Sequence, residues 1–168
     1  MCYSTRHLRK VVESFTEHID VVMSYFRFNF FNRSLAVDLP FYGANQVAVI
    51  NASPLAIGLL TNEGNVPTWN PASDAVKEKC GQTADYCKSV GVELATLAIR
   101  DTMEEPNVSM VLWSTRKVKN MRVNLAAALF PLGSKERLAK AEVASMLEDI
   151  EESSWEEKTE KHKAFFPL

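Results

Sequence analysis

The segment from Gln46 to Asn51 constrains the fold of this chain more than any other stretch. Its Val47, Val49 and Ile50 suit burial on both faces, which is typical of a strand in a parallel sheet covered by helices. The strand stops at Ala52-Ser53-Pro54, because proline cannot donate to a sheet ladder. Parallel α/β folds bind cofactors at such strand ends, although Ser-Pro is also an ordinary strand terminator.

Helix and strand signals alternate along the chain, and this order predicts a parallel sheet wrapped by helices. Caps, apolar spacing and turn residues give the approximate limits of each element. The predicted elements are a helix capped by Ser4, a strand from Ile19 to Tyr25, an aromatic loop from Phe26 to Asn32, a short helix from Ser34, the Gln46 strand, a long connection from Thr61 to Ala72, a helix between Ser73 and Gly91, a helix from Val92 to Met103, a strand from Val108 to Trp113, a helix opened by Ser114 to Lys117, and a helix from the Ser134 cap to about Glu151.

Three helices carry apolar residues at helical spacing, which predicts the faces they bury. Cys80 and Cys87 lie seven residues apart on a fourth helix and are predicted to be core residues that form no disulfide. The predicted apolar faces are Leu8, Val11, Val12 and Phe15 in the first helix, Val118, Met121, Leu125 and Ala128 in the helix after Lys117, and Leu138, Ala141, Met146, Leu147 and Ile150 in the last.

Composition excludes several classes of function. The 168 residues carry a net charge of -2 with a pI near 6.0, which argues against a nucleic-acid partner. No apolar run is long enough to span a membrane and no signal-peptide core is present, so we expect a cytoplasmic protein. His7, His18 and His162 are isolated from other ligands, and no metal site is predicted.

One small cationic group lies after the third predicted strand. Arg116, Lys117, Lys119 and Arg122 are too few to form an electrostatic footprint on a polyanion. Because they flank the amino terminus of a helix, they could hold a single phosphate, or they could form an ordinary solvated surface.

The order and spacing of three blocks resemble the carboxyl-terminal half of the aldo/keto reductases, in particular the branch of L-galactose dehydrogenase and D-threo-aldose 1-dehydrogenase. The blocks are Ile19 to Tyr25, Ile50 to Pro67 with its Ser-Pro-Leu turn and Asn-Glu-Gly loop, and Val108 to Leu112 leading to Asn124. The resemblance runs from Tyr3 to about Trp155.

The resemblance implies a (β/α)8 barrel that binds NAD or NADP across the carboxyl ends of its strands and transfers hydride to or from a carbonyl or sugar carbon. This chain would supply strands six, seven and eight with their outer helices, which leaves the barrel incomplete, because a complete one takes about 250 residues. The implied cofactor-binding residues are Ser53, Leu55 and Gly58 after strand seven and Ser114, Thr115, Arg116, Asn120 and Asn124 after strand eight.

The sequence departs from the family pattern at several of these positions. Ala52 replaces an aromatic residue of many members, as in the branch named above, and Ser114 replaces a glycine. Val123 replaces an acid that grips the adenine amine, so the preference between NAD and NADP is open. The family's catalytic Asp, Tyr, Lys and His precede the part that this chain resembles. No catalytic residue is therefore assigned. Tyr25 lies at the end of a predicted strand, but being a tyrosine does not by itself make it the catalytic one.

These observations predict a partial reductase domain at residues 1–155 and a charged tail at residues 156–168, in which Phe165 and Phe166 could border a substrate pocket. The expected function is the cofactor-binding portion of an aldose dehydrogenase, inactive alone and with weak or absent nucleotide binding. A noncatalytic half-barrel that binds a nucleotide or a partner is the alternative, and a nonfunctional gene remnant is a third possibility. Open sheet edges predict self-association.

Overall fold

Three parallel strands form one sheet in a computed structural model that describes residues 4–64 and 66–150. They are β1 (Val21–Tyr25), β2 (Ala48–Ala52) and β3 (Met110–Leu112), and β2 lies in the middle. The register pairs Tyr25 with Ala52 and Ala52 with Leu112, so the carboxyl ends of all three strands are level. Loops that leave the three strands therefore meet at one edge of the sheet.

Helices connect the strands in the predicted order, and this confirms the alternation found in the sequence. The α-helices are α1 (Thr5–Phe15), α2 (Leu39–Ala44), α3 (Asp74–Ser89), α4 (Leu94–Met103), α5 (Val118–Leu129) and α6 (Ser134–Leu147). Single 3-10 turns occur at Thr16–His18, Ser34–Val37 and Ala56–Gly58. The strands are shorter than predicted, since Ile19 still caps the first 3-10 turn and Gln46 has a positive φ of 58°.

Two apolar clusters hold these elements together. In the first, Val22 of β1 and Val49 of β2 pack with Val12 of α1 and Leu39 of α2 on one face of the sheet. The second cluster joins α3, α4 and α6 to the loops that leave β1 and β2, and it contains Cys80, Cys87, Leu97, Val143 and Leu147. The prediction that both cysteines are core residues is confirmed, because each is at most 2% exposed.

Helix capping agrees with the sequence at two of three positions. The Ser4 hydroxyl accepts a hydrogen bond from the His7 amide and the Ser73 hydroxyl accepts one from the Val76 amide, both at 3.3 Å. Ser134 was the wrong cap for the last helix. Gly133 occupies that position, and its amide donates to the Glu136 carboxylate at 2.6 Å, because glutamate three residues into a helix can reach back to the cap.

The predicted apolar faces were only partly right. Leu8 and Val12 are buried in α1, whereas Val11 and Phe15 are exposed. In α5 the buried residues are Asn124 and Ala127, while most of the predicted face is open, with Val118, Met121 and Leu125 exposed. In α6 the buried residues are Ala139, Val143 and Leu147, and the predicted Leu138 and Ala141 are exposed.

The face of the sheet opposite α1 and α2 is apolar and open. Side chains alternate between faces along a strand, so Val21, Met110 and Leu112 point away from Val22 and Val49. All three are more than 40% exposed.

Within residues 4–64 and 66–150, no helix is long and apolar enough to cross a membrane. The last helix ends at Leu147, earlier than the predicted end near Glu151, and the predicted tail at 156–168 lies outside the described residues.

Candidate functional site

A cleft of about 640 Å³ opens where the three strands end. This volume is within the usual range of small-ligand sites. Its walls come from the carboxyl ends of the strands, the Ser-Pro turn, the loop after it and the first turns of α4 and α5. The lining residues include Tyr25, Ala52, Ser53, Pro54, Leu55, Ile57, Gly58, Thr61, Asn62, Glu63, Pro67, Glu93, Ala95, Leu112, Trp113, Ser114, Thr115, Lys119, Asn120, Val123 and Asn124.

The turn after β2 has an unusual backbone. Ser53, Ala56 and Ile57 have positive φ angles of 67°, 49° and 56°, a region that residues with a Cβ seldom adopt and that is most costly for a β-branched residue. Gly58, at a φ of 90°, meets the same demand without a Cβ. Strained backbone of this kind is concentrated at ligand sites, because the surrounding structure has to hold it in place.

Hydrogen bonds fix the Ser53 side chain within this turn. The Ser53 amide donates to the Leu112 carbonyl at 3.1 Å and so joins the turn to β3. The Ser53 hydroxyl accepts from the Ile57 amide at 3.3 Å. Its own O–H can still donate to a ligand, because a serine hydroxyl is both donor and acceptor.

The exit of β3 places polar groups on the facing wall of the cleft. The Thr115 hydroxyl accepts a hydrogen bond from the Lys117 amide at 3.3 Å, and this local turn leads into α5. Asn120 and Asn124 follow on α5, and the Asn124 side chain is only 2% exposed although it lines the cleft. A buried amide at a cleft wall can both donate to and accept from a bound polar group.

Three consecutive side chains hold the segment Thr61–Glu63 in the cleft wall. The Thr61 hydroxyl donates to the Gly58 carbonyl at 2.9 Å. The Asn62 amide nitrogen donates to the Val92 carbonyl, and its oxygen accepts from the Leu94 amide, both at 2.8 Å. Glu63 forms an ion pair of 2.7 Å with Lys117. We name Thr61–Glu63 the strap, because it links the β2 exit, the start of α4 and the β3 exit.

The long connection from Thr61 to Ala72 is anchored again near its end. Asn70 is 4% exposed, and its side chain donates to the Ile57 carbonyl at 3.4 Å while accepting from the Ala72 amide at 2.9 Å. These bonds hold the connection against the strained turn. Trp69, next to this anchor, is 62% exposed.

The loop after β1 is likewise held by buried asparagines. Asn29 is fully buried, and its side-chain oxygen accepts from the Phe31 and Asn32 amides at 3.1 Å. The side-chain nitrogen of Asn51 in β2 donates to the Phe28 carbonyl at 2.8 Å. The wall beside Tyr25 is therefore fixed by side chains that satisfy the backbone of an otherwise buried loop.

Seven of the eight cofactor-binding residues predicted from sequence meet in the cleft, namely Ser53, Leu55, Gly58, Ser114, Thr115, Asn120 and Asn124. Arg116 is exposed and lies outside the lining. Sequence reasoning assigned no role to Thr61, Asn62, Glu63 or Glu93, whereas Lys119 belonged to the group that could hold a phosphate. The Asn-Glu-Gly loop could have pointed to Asn62 and Glu63 as site residues. No local pattern points to Glu93, because it lies about 30 residues further along the chain, just before α4.

The fold defines an α/β protein with a cleft at the carboxyl ends of three parallel strands. A family model described as the aldo/keto reductase family matches residues 3–144, and the chain belongs to that family. It is 34% identical over 139 residues to L-galactose dehydrogenase of Arabidopsis thaliana, covering 82% of this chain and 43% of that protein.

Solved structures show the same fold. The holo form of an aldo-keto reductase from Bacillus halodurans matches with a TM-score of 0.55 at 17% identity, over 84% of this chain and 49% of that one. A glycerol dehydrogenase from Gluconobacter oxydans matches with a TM-score of 0.57 at 18% identity, over 81% of this chain and 46% of that one. The chain therefore spans about half the length of these relatives.

Proposed function

We propose that this chain is the NAD(P)-binding portion of an aldo/keto reductase that acts on an aldose, with β1, β2 and β3 as the sixth, seventh and eighth strands of a barrel. The observation that carries the proposal is that seven residues chosen from sequence alone line one cleft. Members of this family generally use NAD(P)H, and the relative with 34% identity is named for L-galactose. We propose the cytoplasm as its location.

The donors in the cleft suit a dinucleotide. Hydroxyls of Ser53, Ser114 and Thr115 can donate to phosphate or ribose oxygens, and Asn120 and Asn124 offer amides to a base or sugar. Lys119 lines the same wall and supplies a positive charge for a phosphate. When bound, the nicotinamide supplies hydride chemistry, and these residues bind and orient its carrier.

Chemistry on the substrate needs groups that have no counterpart here. Tyr25 lines the cleft, but a role as an acid would need a lysine and an aspartate arranged beside it. We propose that the isolated chain binds nucleotide weakly and does not oxidise sugars.

Calorimetric titration with NAD and NADP, together with an aldose oxidation assay, tests the proposal. We expect saturable nucleotide binding and no turnover of L-galactose or other aldoses by the purified chain. Asn124→Leu, which replaces a cleft amide with an apolar group of similar size, should weaken binding about tenfold, because a ligand group loses its partner. Leu138→Ala, on the exposed face of α6, is the control. Binding unchanged by Asn124→Leu in a folded variant, or robust sugar oxidation, would contradict the proposal.

The open sheet face favours a second role, as an interaction module. Parallel sheets are normally covered on both faces, yet Val21, Met110 and Leu112 are exposed here on the same face. Both β1 and β3 are edge strands within the described residues. We propose that a second copy of the chain covers this surface, since unpaired strand edges and apolar side chains both favour association.

A further inference from the structure

We infer that Glu93 makes this cleft select NAD over NADP, an inference that rests on the nucleotide-binding role proposed above. Glu93 is the residue immediately before α4 and lines the cleft. The family resemblance assigns no function to this position. The carboxylate acts as a specificity residue, because the two cofactors differ only by a phosphate on the adenosine ribose.

Glu93 lies at the adenosine end of the cleft. Helices α4 and α5 pack against each other, and their first turns border the same space, through Glu93 and Ala95 on one side and Lys119, Asn120 and Val123 on the other. The β3 exit and the first turn of α5 are the proposed adenosine site. A ribose held by Asn120 therefore faces the start of α4.

The charges at this end of the cleft disfavour a second phosphate. Within residues 4–64 and 66–150, no ion pair of 4.0 Å or less is found for Glu93. Lys117 is engaged by Glu63 at 2.7 Å, and Arg116 lies outside the lining. Lys119 is the one lysine or arginine among the described lining residues, and the pyrophosphate common to both cofactors competes for it.

A carboxylate and a ribose diol are chemically matched. The two oxygens of Glu93 can accept hydrogen bonds from neighbouring ribose hydroxyls, which is how acidic residues recognise NAD in other dinucleotide folds. NADP carries a phosphate monoester there, with a charge of about -1.5 to -2 at neutral pH. This phosphate replaces one of the two ribose hydroxyls that could donate to Glu93. Its negative charge is also repelled by the Glu93 carboxylate.

Calorimetric titration of the full chain with NAD and NADP tests this inference. We expect the unaltered chain to bind NAD at least about tenfold more tightly than NADP, which corresponds to about 1.4 kcal/mol. Glu93→Gln should tighten NADP binding several-fold and leave NAD nearly unchanged, and Glu93→Lys should reverse the preference. The discrimination should shrink at high ionic strength, because salt screens exposed charges.

Glu142→Gln is the matched control, since Glu142 is exposed on α6 and outside the cleft lining. The Glu93 variants should fold, because the Glu93 side chain makes no capping hydrogen bond to α4. Equal or tighter binding of NADP by the unaltered chain would overturn the inference while the proposed function stands, and so would an equal effect of Glu93→Gln on both nucleotides. If neither nucleotide binds the folded chain, the proposed function fails and the inference fails with it.

Discussion

At the scale of single residues, Asn62 has the most consequential contacts in the cleft wall. The Asn62 side-chain nitrogen donates to the Val92 carbonyl, and the side-chain oxygen accepts from the Leu94 backbone N–H. One side chain therefore bonds both backbone groups at the start of α4, as a neighbouring strand would. The Leu94 amide is one of the first amides of that helix, which have no partner inside the helix. Asn62 therefore couples the strap to a helix terminus.

Asn62→Leu should destabilise the chain by about 1–3 kcal/mol, because it leaves two backbone groups without their partner. Asn62→Asp should cost less, since a carboxylate still accepts from the Leu94 amide and is favoured at a helix amino terminus. Urea unfolding of both variants measures the difference. Equal losses in the two variants would show that the Leu94 bond does not carry the effect.

The buried cysteines give a prediction about pH. Desolvation by burial raises the pKa of the Cys80 thiol to about 12. Burial, with a smaller contribution from the Glu93 charge, raises the pKa of Cys87 to about 11. Thiols of the unfolded chain ionise near pH 8.5. The stability that these neutral thiols contribute is therefore complete below about pH 8.5 and is lost as the pH rises towards the folded values.

Between about pH 9 and 11, the free energy of unfolding should fall by up to about 1.4 kcal/mol per pH unit for each buried thiol. The double variant Cys80→Ala, Cys87→Ala should show a shallower decline over the same range, whatever its absolute stability. Urea unfolding at several pH values, compared between the two proteins, checks this. Parallel declines would mean that the thiols do not ionise on unfolding in this range.

At the scale of elements, the sequence predicted the three strands and the long helices of the described residues, missed the 3-10 turns at Thr16–His18 and Ala56–Gly58, and misjudged which helix faces are covered. The apolar stripe of α5 contains Val118, Met121 and Leu125, yet the helix packs through Asn124 and Ala127. Spacing shows that a face is apolar, and it says nothing about whether another element lies against it. Small residues allow close helix packing and produce no hydrophobic periodicity, so the contact between α4 and α5 left no signal.

The cleft residues, like the helices, were predicted from the sequence only in part. The Ser-Pro turn, with Ser53, Leu55 and Gly58, could be found because proline, serine and glycine mark a strand exit in the sequence. The positive φ of Ile57 could not be found, since an isoleucine there is enforced by the surrounding hydrogen bonds. Glu93 reaches the cleft only through the packing of α4, which no local pattern encodes.

Helix α6 provides a matched test of the packing. Leu147 is fully buried in the cluster that joins α3, α4 and α6, whereas Leu138 on the same helix is 74% exposed. Leu147→Ala should cost about 2–5 kcal/mol of stability, because it removes buried methyl groups and leaves a cavity. Leu138→Ala should change stability by less than about 0.5 kcal/mol. Thermal or urea unfolding of both variants checks the placement, and similar losses would contradict it.

At the scale of the whole molecule, the open sheet face predicts behaviour that depends on concentration. The exposed Met110 and Leu112 of β3 lie on the apolar face, and Met121 and Leu125 of α5 are exposed as well. An apolar surface at a strand edge promotes association until another chain covers it. We therefore expect the mass of the particle to rise with protein concentration.

Sedimentation velocity over a range of concentrations measures this directly. Leu112→Lys should shift the distribution towards monomer, because a charge on the open face has to be desolvated on association. Leu138→Lys makes the same change from an apolar to a charged side chain, but on the exposed face of α6, and it should leave the distribution unchanged. A monomer at every concentration in the unaltered chain would rule out self-association, and coverage by a different polypeptide would then account for the open face.

The order of the strands also bears on how the chain can be built on the ribosome. Each strand pairs with the one that precedes it in sequence, so β2 can dock on β1 once residue 52 has emerged from the ribosome, without waiting for β3. Strand β3 then waits only for α3 and α4, which separate it from β2. A sheet that grows from one end in this way can fold vectorially as it emerges, with no early strand left waiting for the carboxyl terminus.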